Sequence, residues 1–577
     1  MKMISKYILG AVLAGGAFLN TACTDGFEDM NTNPEGVDGI VTDLVDRVQN
    51  PLDNVIPPQE HRYQLWANLT TDIFAGFYMG VNDFGGSNNY NFQLRPDHCG
   101  QTYADYYLYI GKYTKDYIPE CKEQKRYELA AMLQVANVFG LLPVVSSYGP
   151  AQYKCMLEHA DRYYYDKEEA IYELMFEQLD EAYGWLKDFQ QKAADEQLMA
   201  DFTRADKICG GNVDKWLKMI NTLKLRIAMQ LVKVQPKKSQ QIAEKAVADG
   251  VLTEADEDVI LKSGLKLFRI EDLWNDTRAN ANIITILQGY SDPRLEKLFA
   301  MNNADIYEVG NEEVPVVEKN TQILGVRQGV PMTRTEYLGY SKTNRQAVAE
   351  EGPRPLMRVA EAYFLRAEGV LRGWNMGSET AEDLYNKGIY CAWKSVMGDP
   401  VKWLGDYDNY IVGCINMGDD SDFDWLLFEG GFGSAAYVNP RDPRFNYGFE
   451  KTYIDINGNE AVRMVGPNQI SVKWHEEDTN EQKLQRIITQ KWLAFFPTMS
   501  SQAWVEYRRT GYPRLIPRPE EVTANGEIRT DLQIRRLPFT QGEYRSNREE
   551  VMKAVSYLKG DDSPRTRLWW DVEGPNF

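Results

Sequence analysis

Residues 356–371, LMRVAEAYFLRAEGVL, and residues 378–393, SETAEDLYNKGIYCAW, decide the fold of this chain. In the first stretch, apolar residues recur at spacings of three and four, which is the pattern of an amphipathic helix. Gly373 follows at the place where a helix ends. A second periodic segment begins only a short loop later, and two helices joined in this way form an antiparallel hairpin. The sequence therefore predicts a helical pair at residues 356–393.

The same periodicity recurs along the chain, at about 127–141, 168–188, 213–233, 238–249 and 483–509. The alternation of small and large residues resembles tetratricopeptide helix pairs, although no strict 34-residue period is present. We therefore expect a mostly α fold, with a tetratricopeptide-like scaffold of helical pairs, long loop-rich insertions and a few short hairpins. The insertions span roughly 250–350 and 395–480.

One short segment in the second insertion allows two interpretations. Asn457-Gly458 lies between the pairs Tyr453-Ile454 and Ala461-Val462, which is a signal for a β-hairpin. The same residues weakly resemble a calcium loop, but the Glu expected at the twelfth position of an EF-hand is absent. The turn composition favours the hairpin.

Length and charge limit the function. A chain of 577 residues exceeds the size of one simple core, so two lobes or a repeat array are expected. The net charge of -20 disfavours nucleic acid and anionic lipid headgroups as partners. Cysteines show no C-x-x-C pair or regular spacing, which indicates buried free thiols and no zinc ribbon. No cofactor is predicted.

The N-terminus has the pattern of a lipoprotein export signal. Lys2 and Lys6 precede an apolar run that is too short to span a bilayer, and small residues lead to Cys23. We predict a signal peptide at 1–22, lipidation of Cys23, a tether at 23–40 and one domain at 41–577. No later segment reads as a membrane-spanning run, so the lipid is the expected contact with the membrane.

Several blocks in the C-terminal third resemble the SusD/RagB family of outer-membrane lipoproteins. They are QKWLAFFP at 490–497, AWVEYRRTGYP at 503–513, RRLP at 535–538 and LWWD at 568–571. Residues 216–226, 292–294 and 357–368 match as well. The resemblance implies a SusD-like helical scaffold with a loop-rich binding face. It also implies capture of a nutrient, usually an oligosaccharide and sometimes a peptide, and delivery to a TonB-dependent SusC-like transporter.

The acidic residues that follow Cys23 resemble the signal of Bacteroidetes-type bacteria for export to the outer face of the outer membrane. The resemblance thus predicts a lipid-anchored protein that faces the cell exterior.

The shared blocks themselves favour a structural role. On a helix, Trp504, Tyr507 and Arg508 lie on one face and can touch. Arg508, Arg509 and Arg536 are expected to pair with Glu506 or Glu543 or to cap loop carbonyls. We therefore expect these blocks to build the scaffold.

The binding surface is predicted in the loops, at about 78–110 and 250–480. Sugar recognition needs flat aromatic faces next to groups that satisfy hydroxyls, and residues 78–92 contain both. The candidates in this segment are Tyr78, Asn82, Asp83, Phe84, Asn88 and Tyr90. Further candidates are Trp274, Arg278, Tyr337, Tyr340, Trp425 and Tyr437. The alternative for residues 78–92 is a rim loop that packs on the scaffold or on the transporter.

Enzyme signatures are missing from the sequence. The four histidines form no H-E-x-x-H motif, and no P-loop or G-x-S-x-G occurs. Glycosidase chemistry needs only two carboxylates, and the 84 acidic residues single out no such pair. We predict a glycan-binding lipoprotein that is not an enzyme; the alternatives are a peptide-capturing RagB-like lipoprotein and, more remotely, a cell-surface glycoside hydrolase.

Overall fold

Helices with apolar stripes form most of the structure. The computed structural model describes residues 43–82, 84, 92–192, 195–301, 307–309, 312–314, 322–330, 334–337, 339–412, 433–439, 442–454, 459–519, 528 and 533–577. The first half of the chain contains α1 (Leu44–Asp53), α2 (Glu60–Tyr63), α3 (Thr71–Phe74), α4 (Pro96–Cys99), α5 (Gln101–Asp105), α6 (Lys112–Glu123), α7 (Tyr127–Tyr148), α8 (Lys154–Leu157), α9 (Glu168–Gln191), α10 (Glu196–Ala205), α11 (Val213–Gln230) and α12 (Pro236–Asp249).

The second half contains α13 (Ala281–Gly289), α14 (Arg294–Leu298), α15 (Arg334–Tyr337), α16 (Val359–Leu371), α17 (Ala381–Met397), α18 (Leu404–Val412), α19 (Asn480–Phe495), α20 (Ser500–Thr510), α21 (Gln541–Ser546) and α22 (Arg548–Tyr557). Single π-helical turns occur at Gln64–Asn68, Tyr106–Gly111, Arg269–Leu273 and Arg345–Ala349. Short 3-10 turns occur at Pro400–Lys402 and Pro443–Phe445.

The helical hairpin at 356–393 is confirmed. Gly373 follows α16 with a φ of 75°. Glycine adopts this conformation at little cost because it has no Cβ. A capping box opens α17, because the Thr380 hydroxyl accepts from the Asp383 N–H and the Asp383 carboxylate accepts from the Thr380 N–H. Gly388 leaves room for the Phe364 ring between the two helices.

Helical pairs continue on both sides of this hairpin. α6 packs on α7, α7 on α9, α9 on α11, and α11 on both α12 and α16, which in turn contacts α19. Residues 48–577 form one compact unit. The predicted tetratricopeptide-like scaffold of helical pairs is therefore confirmed.

The helix α7 corrects one expectation. Its length and hydropathy would suit a membrane span, although we expected no such segment after the N-terminal signal. Nearly all of its side chains are buried, and α6 and α9 pack against it. Its uniform apolarity is that of a core helix, which is hydrophobic on all sides.

Within the described residues, the strands form four two-stranded antiparallel ribbons. β1 (Tyr78–Gly80) pairs with β3 (Thr277–Ala279), β2 (Val259–Leu265) with β6 (Gly352–Met357), β4 (Tyr307–Val309) with β5 (Glu312–Val314), and β7 (Phe449–Ile454) with β8 (Glu460–Val465). The pairing of β7 with β8 runs from Phe449↔Val465 to Ile454↔Glu460. The predicted hairpin is thus confirmed, while residues 455–458 of its turn lie outside the described residues.

The segment 483–509 is two helices where we expected one periodic run. α19 ends at Phe495, and α20 begins at Ser500. Pro497 lies between them, and proline lacks the N–H that a helix interior needs and disfavours helical geometry at the residue before it. The sequence contained this signal, and the apolar periodicity on both sides obscured it.

The C-terminal blocks build the scaffold, as predicted. Arg509 donates to both oxygens of Glu368 at 2.6 and 2.7 Å and to Glu506 at 2.6 Å, and Lys491 donates to Glu506 at 2.9 Å. These groups are fully buried and join α16, α19 and α20. Burial alone would raise the pKa of Glu368, but Arg509 and Arg372 beside it lower that pKa.

Arg508 stacks on Trp504, with the guanidinium carbon 3.4 Å from the ring centroid, and donates to the Arg535 carbonyl at 2.8 Å. Arg536 pairs with Asp562, while Glu543 accepts from Tyr165 and Gln152. The predicted kinds of partner, acidic side chains and loop carbonyls, are therefore correct. The partner of Arg536 is Asp562, an aspartate that the sequence analysis did not name.

The free cysteines Cys99, Cys121, Cys155, Cys209 and Cys391 are buried, as predicted. Cys414 lies outside the described residues, and so do the signal peptide, Cys23, the tether and the domain boundary predicted at residue 41.

Candidate functional site

A β-ribbon brings two separately predicted candidate segments together. Tyr78 pairs with Ala279, Met79 with Arg278 and Gly80 with Thr277. The Val81 N–H extends the ribbon by donating to the Asp276 carbonyl at 2.8 Å. As a result, the residues after β1 lie beside the residues before β3. We call Gln64, Asn82, Phe84, His98, Trp274 and Asp276 the ribbon surface.

Asp276 organises the polar part of the ribbon surface. Its Oδ1 accepts from the Asn82 side-chain amide at 3.0 Å, and its Oδ2 accepts from the Gln64 amide at 2.8 Å. Asp276 is buried, whereas Asn82 is half-buried. The buried carboxylate thereby fixes two amides, one of them on the π-helical turn Gln64–Asn68, at the base of the surface.

Phe84 presents a half-buried ring next to these amides. Its N–H donates to the Asn82 side-chain oxygen at 3.3 Å, which holds the local turn. The His98 ring meets the Phe84 ring edge-on, with centroids 5.0 Å apart and planes at 89°. The Arg95 guanidinium lies 5.9 Å from the Phe84 centroid. The ring is thus supported from two sides and keeps part of its surface open.

His98 supports this ring as a neutral group. It is buried, and burial lowers the pKa of its imidazole. Its Nδ1 has no hydrogen-bond partner among the described residues. A buried polar atom of this kind marks a place where a water or a ligand group is favoured.

Trp274 is the second half-buried ring of the ribbon surface. The exposed His61 ring approaches it edge-on at 6.4 Å and 79°. Trp274 follows the π-helical turn Arg269–Leu273. The neighbouring Asn275 has a φ of 54°, and its side chain accepts from Arg278 at 3.0 Å. The tight connection thereby presents the indole at the end of the ribbon.

Backbone strain concentrates at this place. Six described residues other than glycine have positive φ, and three of them are Phe84, Phe92 and Asn275. Bulky residues rarely adopt this conformation, and it persists only where the surroundings impose it. Phe92 is buried with Arg518 4.1 Å from its ring centroid, and burial lowers the pKa of Arg518 to about 10. Strained conformations of this kind are often found at functional sites.

Arg278 is a correction to the predicted ligand set. It is fully buried and donates to the carbonyls of Glu271 at 3.1 Å and Thr277 at 2.7 Å. Its guanidinium therefore holds the turn that presents Trp274 and offers no open face.

Four predicted tyrosines are also buried. The Tyr78 ring stacks on Phe496 at 5.5 Å, and the Tyr337 hydroxyl donates to the Val330 carbonyl at 3.2 Å. Tyr437 pairs with Tyr447 in an isolated β-bridge and packs against Ala281 and Ile516. Tyr340 is 3% exposed. The sequence around these tyrosines is typical of loops and did not indicate that the segments pack beside β3. The four side chains therefore belong to the scaffold.

Asp83, Asn88, Tyr90 and Trp425 lie outside the described residues. Asn82, Phe84 and Trp274 are the predicted site residues that the structure brings together with part of their surface open. Sequence reasoning missed Gln64 as a partner of Asp276, because 212 residues separate them. It also considered His61 and His98 only as metal ligands, since nothing local indicates that their rings support aromatic neighbours.

The ribbon surface can bind a ligand by stacking and hydrogen bonding. Two half-buried rings lie on the segments that flank the half-buried Asn82 amide, and the buried Asp276 holds that amide in place. Such a combination suits ligands with apolar faces and hydroxyl or amide edges.

Comparisons with known proteins identify the family. The chain matches the SusD-like family, described as "Susd and RagB outer membrane lipoprotein", over residues 29–410 and 447–571. It is similar to a chitin-binding SusD homologue from Flavobacterium johnsoniae, with 30% identity and a TM-score of 0.77, covering 92% of this chain and 100% of that one.

A SusD-like protein from Bacteroides thetaiotaomicron has 26% identity and a TM-score of 0.74, and the match covers 92% of this chain and 99% of that one. A SusD homologue from Bacteroides uniformis has 27% identity and a TM-score of 0.71, with the same coverage of 92% and 99%. None of the curated proteins compared matches the chain. The family match spans most of the sequence and agrees with the helical scaffold and the C-terminal blocks. The chain belongs to the SusD-like family of SusD and RagB outer-membrane lipoproteins.

Proposed function

We propose that the protein binds an oligosaccharide at the ribbon surface. The observation that supports this most is the pairing of β1 with β3, which brings the segments of the half-buried Phe84, Asn82 and Trp274 together around Asp276. The rings suit the C–H face of a pyranose, and the Asn82 amide suits its hydroxyls, while the buried Gln64 holds Asp276 from below. Asp83, Asn88, Tyr90 and Trp425 remain part of this proposal as further contacts.

Chitin oligomers are the first ligands to test. The 30% identical homologue from Flavobacterium johnsoniae is named as chitin-binding. An N-acetylglucosamine unit presents both an apolar ring face and an acetamido group, and the latter can exchange hydrogen bonds with side-chain amides.

The proposal includes a cellular setting. The mature protein is anchored through lipidated Cys23, faces the cell exterior, and delivers its ligand to a TonB-dependent SusC-like transporter. It holds the ligand without cleaving it. The description of the family as outer-membrane lipoproteins and the signal-like residues 1–22 support this setting.

Calorimetric titration of the mature protein with chito-oligosaccharides tests the proposed site. Phe84→Ala and Trp274→Ala should each weaken binding by about 1 to 3 kcal/mol, the cost of removing an aromatic anchor from an interface. Phe84→Tyr keeps the ring and should bind nearly as well as the wild type. Tyr163→Ala removes an exposed ring from the loop before α9 and serves as the control for loss of surface aromatics.

Mass spectrometry of the titrated ligand should find it intact. Wild-type affinity in both alanine variants would exclude the ribbon surface as the binding site. Binding of peptides with no response to any oligosaccharide would support the peptide-capturing alternative. Ligand fragments that form in proportion to protein, and persist through further purification, would contradict the role of a binder without catalysis.

A further inference from the structure

A groove separate from the ribbon surface lies among the helices of the scaffold. Its volume is about 540 Å³. It lies between the beginning of α11, the segment 254–260, the end of α17 and the residues that lead into α16. No residue of the ribbon surface lines it. We call it the Arg358 groove.

Arg358 is the buried cation of this groove. Its side chain is only 5% exposed, and its Nη1 donates to Asp258 at 2.8 Å. The Nε hydrogen has no acceptor among the described residues. A buried guanidinium N–H without a partner costs free energy, so this edge of the arginine favours an added acceptor.

Asp258 holds Arg358, and both of its carboxylate oxygens accept hydrogen bonds. Its Oδ1 accepts from the Val359 N–H at 2.8 Å, and its Oδ2 accepts from the Ser395 hydroxyl at 2.8 Å as well as from Arg358. The carboxylate therefore fixes one side of the guanidinium and leaves the Nε side unused. Carboxylates bind arginine best through two adjacent N–H groups, and the side that contains Nε presents such a pair.

The acidic residues around Arg358 have cationic neighbours. The lining residues Asp256 and Glu254 pair with Lys218 at 3.0 Å and Lys387 at 3.5 Å, and neither lysine lines the groove. Lys387 is shared with Glu379, which it contacts at 2.6 Å. Lys297 and Lys394 are exposed on the rim.

Lys215 and Glu257 complete the charged lining, and the Lys215 ammonium donates to the Asp258 carbonyl at 3.3 Å. The lining as a whole holds four basic and four acidic side chains, and the cations on its rim are Lys297 and Lys394. An anion near Arg358 thus meets a groove whose own charges balance, with the two rim lysines in the open.

The remaining wall of the groove is apolar. Ile260, Leu298 and Val348 line it. Cys391 also lines it, and burial raises the pKa of this thiol to about 12, so the thiol is neutral. A ligand here meets one buried cation, a polar rim and an apolar wall. This combination is typical of small-molecule sites of several hundred Å³.

We propose that the Arg358 groove binds a hydroxylated carboxylate of monosaccharide size, that is, a sugar acid. The Nε side of Arg358 receives the carboxylate, Lys297 and Lys394 add charge at the rim, and the polar rim contacts the hydroxyls. The site goes beyond the proposed function, because its lining and its ligand charge both differ from those of the ribbon surface.

Titration with sodium D-glucuronate at constant ionic strength tests the groove, with D-glucose as the neutral match. We expect saturable one-to-one binding of glucuronate, detectable below about 10 mM, and none of glucose. Arg358→Lys keeps the charge but removes the Nε–Nη2 pair, and should weaken binding by about tenfold or more.

A second variant keeps the test decisive if Arg358→Lys does not fold. Lys297→Ala combined with Lys394→Ala changes only exposed rim residues and should also weaken glucuronate binding, with the melting temperature unchanged. Lys154→Ala, an exposed lysine on α8, is the matched control for loss of charge. Absence of glucuronate binding, equal binding of glucose, or wild-type affinity in the folded groove variants would each overturn the proposal.

The ribbon-surface variants separate this test from that of the proposed function. Phe84→Ala should bind glucuronate as the wild type does, whereas its binding of chito-oligosaccharides is expected to fall. A parallel loss of glucuronate binding in Phe84→Ala would place the carboxylate at the ribbon surface and would contradict the Arg358 groove.

Discussion

At the scale of single residues, exposure determines what an aromatic ring does in this protein. Phe84 and Trp504 both contact an aromatic or cationic neighbour. Phe84 is half-buried, with His98 and Arg95 supporting it. Trp504 is fully buried under Arg508, contacts Phe74 with centroids 5.3 Å apart, and donates to the Ile534 carbonyl at 3.1 Å. The first ring can serve a ligand, and the second holds α20 to the C-terminal segment.

Replacing Trp504 by Ala should therefore lower stability. We expect a loss of about 3 to 5 kcal/mol in the free energy of unfolding, because a large buried side chain leaves a cavity and unpairs the Ile534 carbonyl. Urea unfolding measures this loss, and Phe84→Ala should change the same quantity far less. A Trp504→Ala protein that unfolds like the wild type but no longer binds ligand would show that this ring is not a scaffold residue.

The site residues also show where sequence reasoning ends. Composition identified residues 78–92 and 274–278 as rich in rings and amides, and Phe84, Asn82 and Trp274 indeed lie together. Tyr78 and Arg278 belong to the same segments, but both are buried. They lie on β1 and β3, and every residue of these two short strands is buried, whichever face of the ribbon its side chain is on. Without the partner strand, the sequence does not determine which side chains remain open.

At the scale of secondary-structure elements, local signals predicted the helices and not the ribbon. α16 and α17 follow from periodicity, Gly373 and the capping box at Thr380, all of which are local in sequence. β1 and β3 are only three residues each, and the Asn280 side chain reaches the Tyr78 carbonyl across 202 residues of chain. Pairing over such a separation leaves no trace in a single sequence.

A buried carboxyl group beneath this ribbon should make the stability of the protein depend on pH. Glu271, on the turn Arg269–Leu273, accepts from the Thr343 N–H at 3.1 Å and from the Thr343 hydroxyl at 2.6 Å. Burial raises the pKa of Glu271 from 4.5 to about 7, although the bonds from Thr343 oppose that rise. Because the folded state holds the proton more tightly than the unfolded state, the contribution of Glu271 to stability is present below about pH 4.5 and is lost as pH rises to about 7.

Glu271→Gln should remove this dependence, since glutamine resembles the protonated acid. Between pH 5 and pH 8, the wild type should lose about 2 to 3 kcal/mol more of its free energy of unfolding than the variant. Urea unfolding of both proteins at the two pH values measures the change in the free energy of unfolding with pH. Comparing these changes removes any effect of the substitution that is the same at both pH values. Parallel curves for the two proteins would contradict a raised pKa at Glu271.

At the scale of the whole molecule, we propose that the lipid anchor can be lost without loss of the scaffold. The compact unit begins at Val48, and the buried ion-pair network of Arg509, Glu368 and Glu506 lies within it. The net charge is -20, and it is -22 for the proposed mature protein without Lys2 and Lys6, so electrostatics does not attract the protein to an anionic surface. On this proposal, membrane association depends on the lipid, and acyl chains stabilise insertion by about 0.8 kcal/mol per buried methylene.

Cys23→Ala should consequently abolish lipid attachment and surface retention, while the released protein keeps its melting temperature and its ligand affinity. Metabolic labelling with a fatty acid and fractionation of membranes measure attachment, and calorimetry measures the other two quantities. Cys209→Ala is the matched control, because it removes a buried thiol of the fold and should leave the label in place. Persistent labelling of Cys23→Ala would refute anchoring at Cys23. Loss of ligand affinity in the released protein would mean that the binding surface requires the anchored N-terminus.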